Sequence, residues 1–347
     1  MRVLLTGAAG FIGSAIAETL AAAGDEVVPV DVMLPQAHGA TEPPPGIHRL
    51  DVRDAADWVD LLRGVDVVCH QAAVVGAGVT VADLPAYAAH NDLGTAALLA
   101  AMHEAGVDRL VLASSMVVYG EGRYTCLDHG DQPARARALA ALEAGDFEVA
   151  CTICGGPLAW ALVDEAARLD PRSSYAASKV AQEHYAAAWV RQAPAAAVAL
   201  RYHNVYGPGM PRDTPYAGVA AIFRSSLERG EAPRVFEDGG QVRDFVHVAD
   251  VARANLAAIR AVADRPRERF TAYNVCSGIP VTILDVARRL AAATRADLAP
   301  TITGQFRAGD VRHVVASPRR ASEELGFTAT VGPEQGLVEF ATASLRD

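Results

Sequence analysis

The chain has 347 residues, 51% hydrophobic and 21% charged, with a formal net charge of −10. That length can bury one large or two medium cores. The acidic balance argues against a protein that coats nucleic acid. The Ala-rich apolar runs are broken by charge, which argues against a membrane span. The first 13 residues lack a signal-peptide apolar region and cleavage site. Five cysteines, an odd number, in a chain of this kind argue for a cytoplasmic protein without a disulfide framework.

Short β-branched runs alternate with Ala-rich helical runs through the first half. The pattern predicts strands at Val3–Thr6, Glu26–Asp31, His48–Asp51, Val65–His70, Arg109–Ser114 and Ala197–Tyr202. Helices are expected at Ile12–Ala23, Ala55–Leu62, Tyr87–Ala105 and Tyr175–Ala193. This alternation implies an α/β Rossmann fold, a doubly wound parallel sheet over 1–201, with residues 121–172 as an insertion. Beyond Tyr202 the chain becomes irregular and richer in Pro and Gly. Residues 202–347 are therefore expected to form mainly a smaller C-terminal α/β lobe. Gln241–His247 and Tyr273–Val275 read as further strands. Residues 241–262, with a helix at Val248–Val262, are expected to return to the first lobe.

The first strand runs into Thr6-Gly7-Ala8-Ala9-Gly10-Phe11-Ile12-Gly13. Gly7 permits a tight turn, Gly10 lets the backbone approach a pyrophosphate, and Gly13 allows helix and strand to pack closely. The following helix offers unpaired N–H groups and a positive dipole end to the anion. Asp31 ends the next strand, where a ribose-binding acid belongs. A carboxylate there accepts from a ribose 2′-hydroxyl and repels a 2′-phosphate, so NAD is favoured over NADP. Asp51 and Val52 follow the third strand and could meet the adenine. His70-Gln71-Ala72-Ala73 ends the fourth, where the small Ala72 and Ala73 let a cofactor lie close. His70 itself reads as a packed histidine.

Ser114 and Ser115 end the fifth strand, before Met116-Val117-Val118-Tyr119-Gly120. Tyr175-Ala176-Ala177-Ser178-Lys179 opens a helix, and residues four apart share one helix face. A Tyr-x3-Lys spacing alone is common by chance. Behind a glycine turn, an acid at 31 and Ser115, it points to hydride-transfer chemistry. The ammonium of Lys179 and a nicotinamide ring would favour a Tyr175 phenolate that takes the proton from a substrate hydroxyl. Ser115 would hold that oxygen, and Lys179 would also hold the ribose.

The insertion carries Cys126-Leu127-Asp128-His129 and Cys151-Thr152-Ile153-Cys154, with 21 residues between the two pairs. Two x2 pairs from three cysteines and a histidine suit a tetrahedral structural Zn²⁺ on Cys126, His129, Cys151 and Cys154. The alternative is a loop with free thiols. The insertion leaves the sheet on the ligand side, so it could cover a substrate pocket.

Taken in order, TGAAGFIG, Asp31, SSMVVYG, YAASK, RYHNVYGPG and QVRDFVHVAD resemble the extended short-chain dehydrogenase/reductase family. The likeness is strongest to its nucleotide-sugar epimerase/dehydratase branch and covers nearly the whole chain. The resemblance implies cofactor contacts from Gly7, Gly10, Phe11, Ile12, Gly13, Asp31, Asp51, Val52, Ala72, Ala73, Asn91, Tyr175 and Lys179. It implies Ser115, Tyr175 and Lys179 as the catalytic set. Ser115 and Asn204 would meet the substrate, with Arg243 and Arg307 on its phosphates and Asp310 at its ribose. Two guanidinium forks and an amide suit a diphosphate.

One departure from the family pattern bears on the reaction. Dehydratases of this branch carry an Asp-Glu pair straight after the catalytic Ser/Thr, and Met116-Val117 stands there. Eliminating water needs a general acid and base, whereas epimerisation needs only oxidation, rotation of the ketone and hydride return. The expectation is therefore a 4-epimerase of UDP- or dTDP-sugars, including hexuronic acids and 6-deoxyhexoses such as rhamnose. A dehydratase or net dehydrogenase is the alternative, and an NAD-sensing module without catalysis is a third reading. His203 departs from the aromatic many relatives carry. The resemblance further implies a homodimer built on Tyr87–Ala105 and Tyr175–Ala193.

Overall fold

A computed structural model describes residues 1–39, 42–76, 80–212, 218–307 and 309–346. Seven parallel strands form the central sheet, in the spatial order Arg269–Val275, Ala196–Tyr202, Arg109–Ser115, Val67–His70, Arg2–Thr6, Glu26–Asp31, His48–Arg49. The chain begins in the middle, winds to one edge, then crosses to the other side between Arg2–Thr6 and Val67–His70. In such a sheet ligands bind beyond the strand C-termini at that crossing.

The strands read as unbroken apolar runs because helices cover both faces. On one face Val3, Leu5, Ile16 and Leu20 pack with Val251, Ala258 and Ile259. On the other, Leu4, Val30, Leu98, Met102, Leu110 and Val190 form a second layer. Helix Val248–Ala263 lies on the first face and leads into Arg269–Val275. The strand expected at Tyr273–Val275 is thus longer, and it forms an edge of the large sheet.

The smaller lobe holds Val242–His247 between Asn204–Tyr206, Pro280–Thr282 and His313–Val314. Helices Val219–Glu228, Ile283–Thr294 and Pro333–Phe340 pack there around Phe223, Phe245, Leu290 and Phe340. Two expected helices are less regular than their periodicity suggests. Val52–Leu62 is a kinked 3-10 segment, and Ala88–Leu93 forms a π-turn between Leu84–Tyr87 and Gly94–Ala105.

Candidate active site

A cleft of about 2430 Å³ runs from the glycine turn, over the strand ends, to the smaller lobe. Single-ligand pockets usually measure roughly 300–1,000 Å³, so this one has room for a dinucleotide and a second nucleotide. Gly7 sits at φ +68°, and a Cβ there would lie 2.7 Å from the Ala72 nitrogen. On Gly13 a Cβ would lie 2.0 Å from the Gly7 carbonyl. Neither position admits a side chain, so the backbone itself lines this end. Gly10 caps helix Phe11–Ala22 without a side-chain bond, leaving the first-turn N–H groups open to an anion.

Asp31 ends its strand against this turn. Its carboxylate accepts from the backbone N–H groups of Ala9 (3.0 Å) and Met33 (2.8 Å), with His38 Nε2 at 3.5 Å. Burial pulls that carboxyl upward, but His38 and the two N–H groups outweigh it and hold it below its ordinary range. Arg346 reaches back to donate to the Ala9 carbonyl at 2.6 Å and lines the same end. Asp51 accepts from Arg53 through both backbone and guanidinium, and it lines the cleft with Val52, Ala72 and Ala73.

At the centre, Ser115 ends its strand and accepts from Val117 N at 3.3 Å. Tyr175 lies in the first turn of helix Ser174–Gln192, which Ser173 caps by accepting from Ala176 N at 3.1 Å. Lys179, one turn on, is buried; its Nζ lies 5.8 Å from the Tyr175 ring centre and donates to the Ala113 carbonyl at 3.0 Å. Burial pushes the Tyr175 phenol up, and a hydrogen bond with Ser115 pulls it the other way. Burial brings the Lys179 ammonium down to about 7, with Glu183 opposing. Without a ligand, then, the phenol resists ionisation, and a charge arriving in the cleft has a strong effect on it.

Behind this set the same helix supplies Glu183. It accepts from Ser114 Oγ at 2.5 Å and from Arg201 Nε and Nη2 at 2.9 and 2.7 Å. Arg201 stacks 4.9 Å from the Tyr119 ring centre. His70 is fixed between Thr6 and Thr95 at 2.7 and 3.1 Å. Burial, then the Lys179 charge, lowers it to about 3, so it is a neutral packed group.

On the lobe side the cleft is lined by Asn204, Arg243, Arg307 and Asp310. Asn204 Nδ2 donates to the Asp244 carbonyl at 3.0 Å. Arg243 is steered by the carbonyls of Val242, Arg312 and Val311 at 3.0, 2.8 and 2.6 Å. Arg307 lies 5.2 Å from the Phe236 ring centre, and burial raises the Asp310 carboxyl. Ala308, between them in sequence, lies outside the described residues. Met116 and Val117 present apolar surface beside Ser115. His203 also lines the cleft, is buried, and neither ring nitrogen has a partner among the described residues.

Asn91, expected at the cofactor, is held by the protein itself. Its amide is fully buried: Nδ2 donates to Val74 O and Ser178 Oγ, both 2.9 Å, and Oδ1 accepts from Val74 N at 2.7 Å. It braces the loop after the fourth strand against the Tyr175 helix and does not line the cleft. Arg346 and Glu183 escaped the sequence reading. Arg346 lies 337 positions from its partner, which no local spacing reveals. Glu183 had a signal, since it continues the Tyr175–Lys179 face at the next i+4 step.

Comparison with known proteins agrees with this geometry. The NAD dependent epimerase/dehydratase family model matches residues 3–138 and 156–276. A dTDP-L-rhamnose 4-epimerase from Burkholderia thailandensis is 35% identical over 98% of this chain and 94% of its own. The Thermus thermophilus UDP-glucose 4-epimerase, solved with NAD, is 32% identical, with a TM-score of 0.75 and 98% of each chain covered. MoeE5, solved with UDP-glucose and NAD, is 30% identical, with a TM-score of 0.76, covering 98% of this chain and 97% of its own. Because that model spans well over half of the sequence, the chain belongs to the NAD dependent epimerase/dehydratase family.

Proposed function

We propose that the chain is an NAD-dependent 4-epimerase of a nucleotide sugar, an isomerase with no net redox change. The observation that carries it is the convergence of Ser115, Tyr175 and Lys179 at the middle of one long cleft. That cleft has a dinucleotide cradle at one end and the Arg243/Arg307 pair at the other.

The residues present fit NAD. Gly7, Gly10 and Gly13 clear a path for a pyrophosphate at the first helix, beside Phe11 and Ile12. Asp31 would hold a ribose, and Asp51, Val52, Ala72 and Ala73 line the remaining wall. When bound, NAD supplies a hydride acceptor and a positive ring beside the phenol. Lys179 holds the ribose and adds charge near Tyr175. Tyr175 takes the proton from the sugar O4 and returns it, while Ser115 donates to that oxygen. Asn204, Arg243 and Arg307 hold the diphosphate and Asp310 the nucleotide ribose. Fixing the nucleotide leaves the sugar free to turn and offer its other face.

The apolar pair Met116–Val117 supports epimerisation over dehydration, because it puts no acid or base beside Ser115. The relatives' names favour a dTDP- or UDP-linked hexose, the dTDP-6-deoxyhexose first. A homodimer would use the helices at Tyr87–Ala105 and Tyr175–Ala193, where Leu93 and Tyr185 are exposed. The test is incubation of purified enzyme with dTDP- and UDP-sugars, followed by NMR of the product. A C4-inverted sugar without accumulated NADH supports the reading. A 4-keto-6-deoxy product or stoichiometric NADH refutes it.

A further inference from the structure

The segment 121–172 is not needed for the chemistry above, and its core is very small. Strands Arg123–Cys126, Gly130–Gln132 and Ala159–Ala161 form a three-stranded antiparallel sheet. Beneath it Tyr124, Cys126, Val149, Cys151 and Leu158 are the only buried core cluster among the described residues of the segment's outer half. A cluster of five side chains, two of them the Cys126 and Cys151 thiols, gives little driving force for ordering so much chain.

Two turns meet over that cluster. In the first, Cys126 pairs across the hairpin with Gly130, and His129 lies between them. In the second, Cys151 N donates to Gly156 O at 2.7 Å, and Gly155 N donates to Cys151 O at 2.9 Å, closing around Cys154. Each turn ends on a left-handed glycine directly after its second ligand, Gly130 at φ +66° and Gly155 at φ +73°. A Cβ on either would meet nothing within 4 Å. The glycines are therefore there for backbone direction, turning both second ligands inward.

The ligand atoms of Cys126, His129, Cys151 and Cys154 all lie within 4.8 Å of one another. Cys126 Sγ is 3.4 Å from His129 Nδ1 and 3.8 Å from Cys154 Sγ, and Cys151 Sγ is 3.8 Å from His129 Nδ1. A tetrahedral ion with bonds of ~2.3 Å to sulfur and ~2.05 Å to nitrogen has edges of ~3.8 Å between sulfurs and ~3.6 Å between sulfur and nitrogen. A disulfide needs sulfurs at ~2.05 Å, which 3.8 Å rules out for Cys126 and Cys154 as they stand. We propose that these four side chains hold one structural Zn²⁺ that folds the insertion and braces the substrate end of the cleft. Three thiolates and an imidazole in tetrahedral array suit zinc, and four protein ligands leave no position for substrate.

The link to the cleft is explicit. Glu148, three residues before Cys151, pairs with Arg312 at 2.5 Å and His313 at 3.2 Å. Arg137 donates to Glu237 Oε1 and to the Asp310 carbonyl, each at 2.8 Å. The Val311 and Arg312 carbonyls in turn aim Arg243. The zinc-held segment thus clamps residues 310–313, whose Val311 and Arg312 carbonyls steer a cleft arginine. The family match breaks at 139–155, the stretch that carries Cys151 and Cys154, so the metal is an addition to the common catalytic frame.

The metal claim is independent of the substrate, and only the bracing arm rests on the function proposed above. Elemental analysis of full-length protein, made in zinc-supplemented medium and purified without chelator, should give about one zinc per chain. The Cys151→Ser/Cys154→Ser protein should carry less than a tenth of that, and Glu148→Ala should keep it all. Wild-type protein below a tenth of an equivalent, iron at one equivalent instead, or a Cys126–Cys154 disulfide by mass spectrometry would overturn the site, and none of these needs a folded variant. For the bracing arm, Glu148→Ala should raise KM for the nucleotide sugar about tenfold with kcat within twofold. An unchanged KM with zinc retained would overturn the brace while leaving both the metal and the epimerase reading intact.

Discussion

The glycine cradle and the Cys/His segment are both short loops shaped by glycines, but they are supported by opposite means. The cradle rests on Val3, Leu5, Ile16 and Leu20, all fully buried in the main core. At the turn itself Gly7 and Gly13 leave the backbone to face the ligand. The Cys/His segment rests on a five-residue cluster that includes Cys126 and Cys151 themselves, and it brings four side chains together at one point. Where the core is deep, the fold precedes the ligand and the ligand adds only function. Where it is shallow, the ligand supplies much of the folding free energy.

The sharpest separation of the two regions comes from the chemistry between them. Tyr175→Phe should lower kcat about 10³-fold, within the usual range for a lost general acid–base group. NAD binding and zinc content should stay at wild-type levels. Wild-type turnover in that variant, measured by NMR of the C4-inverted sugar, would break the catalytic assignment of Tyr175, whereas unchanged biological activity with turnover abolished would favour a sensing module.

Gly13→Ala challenges the cradle alone. Its Cβ would fall 2.0 Å from the Gly7 carbonyl, so helix and turn must separate. NAD affinity, by fluorescence titration, should drop about 100-fold, or roughly 3 kcal/mol. Zinc content should not change. Loss of both together would mean that the two regions fold as one cooperative unit.

The same contrast explains what could be read in advance. The cradle and the two x2 pairs are local patterns that spacing exposes, and the Tyr-x3-Lys helix becomes legible in the company of the glycine turn, Asp31 and Ser115. The bracing contacts of Asn91 are not legible in the sequence, because its partners, Val74 and Ser178, lie 17 and 87 positions away. Arg346 closes on Ala9 across almost the whole chain. Arg269–Val275 joins the large sheet by pairing with Ala196–Tyr202, a long-range choice invisible in its own seven residues. The π-turn at Ala88–Leu93 was equally hidden, because its apolar period differs little from that of the helices around it.

Arg243→Lys probes the lobe end. Lysine loses the planar fork and cannot match the three carbonyls that steer Arg243. KM for the nucleotide sugar should rise about tenfold, or roughly 1.4 kcal/mol, with little change in kcat. An equal fall in kcat with KM unchanged would instead place Arg243 at the reacting centre.

The smallest effect concerns stability. Lys179 has its folded pKa lowered by burial to about 7 from 10.5. The unfolded chain therefore binds more protons between those values, and stability rises with pH across that window. The cost is fully present below pH 7 and is relieved above the unfolded pKa. Lys179→Met should raise the Tm of NAD-free protein by several degrees at pH 7, for roughly 1–3 kcal/mol. That gain should shrink as pH approaches 10. A gain that grows with pH would contradict the assignment.

In the proposed reaction hydride leaves and returns to one carbon of the sugar within one cleft. A nucleotide sugar deuterated at C4, incubated with enzyme in ordinary water, tests this directly. The C4-inverted product should keep its deuterium in full, with no NADH released. Loss of the label to solvent, or label migration to another carbon of the sugar, would contradict it.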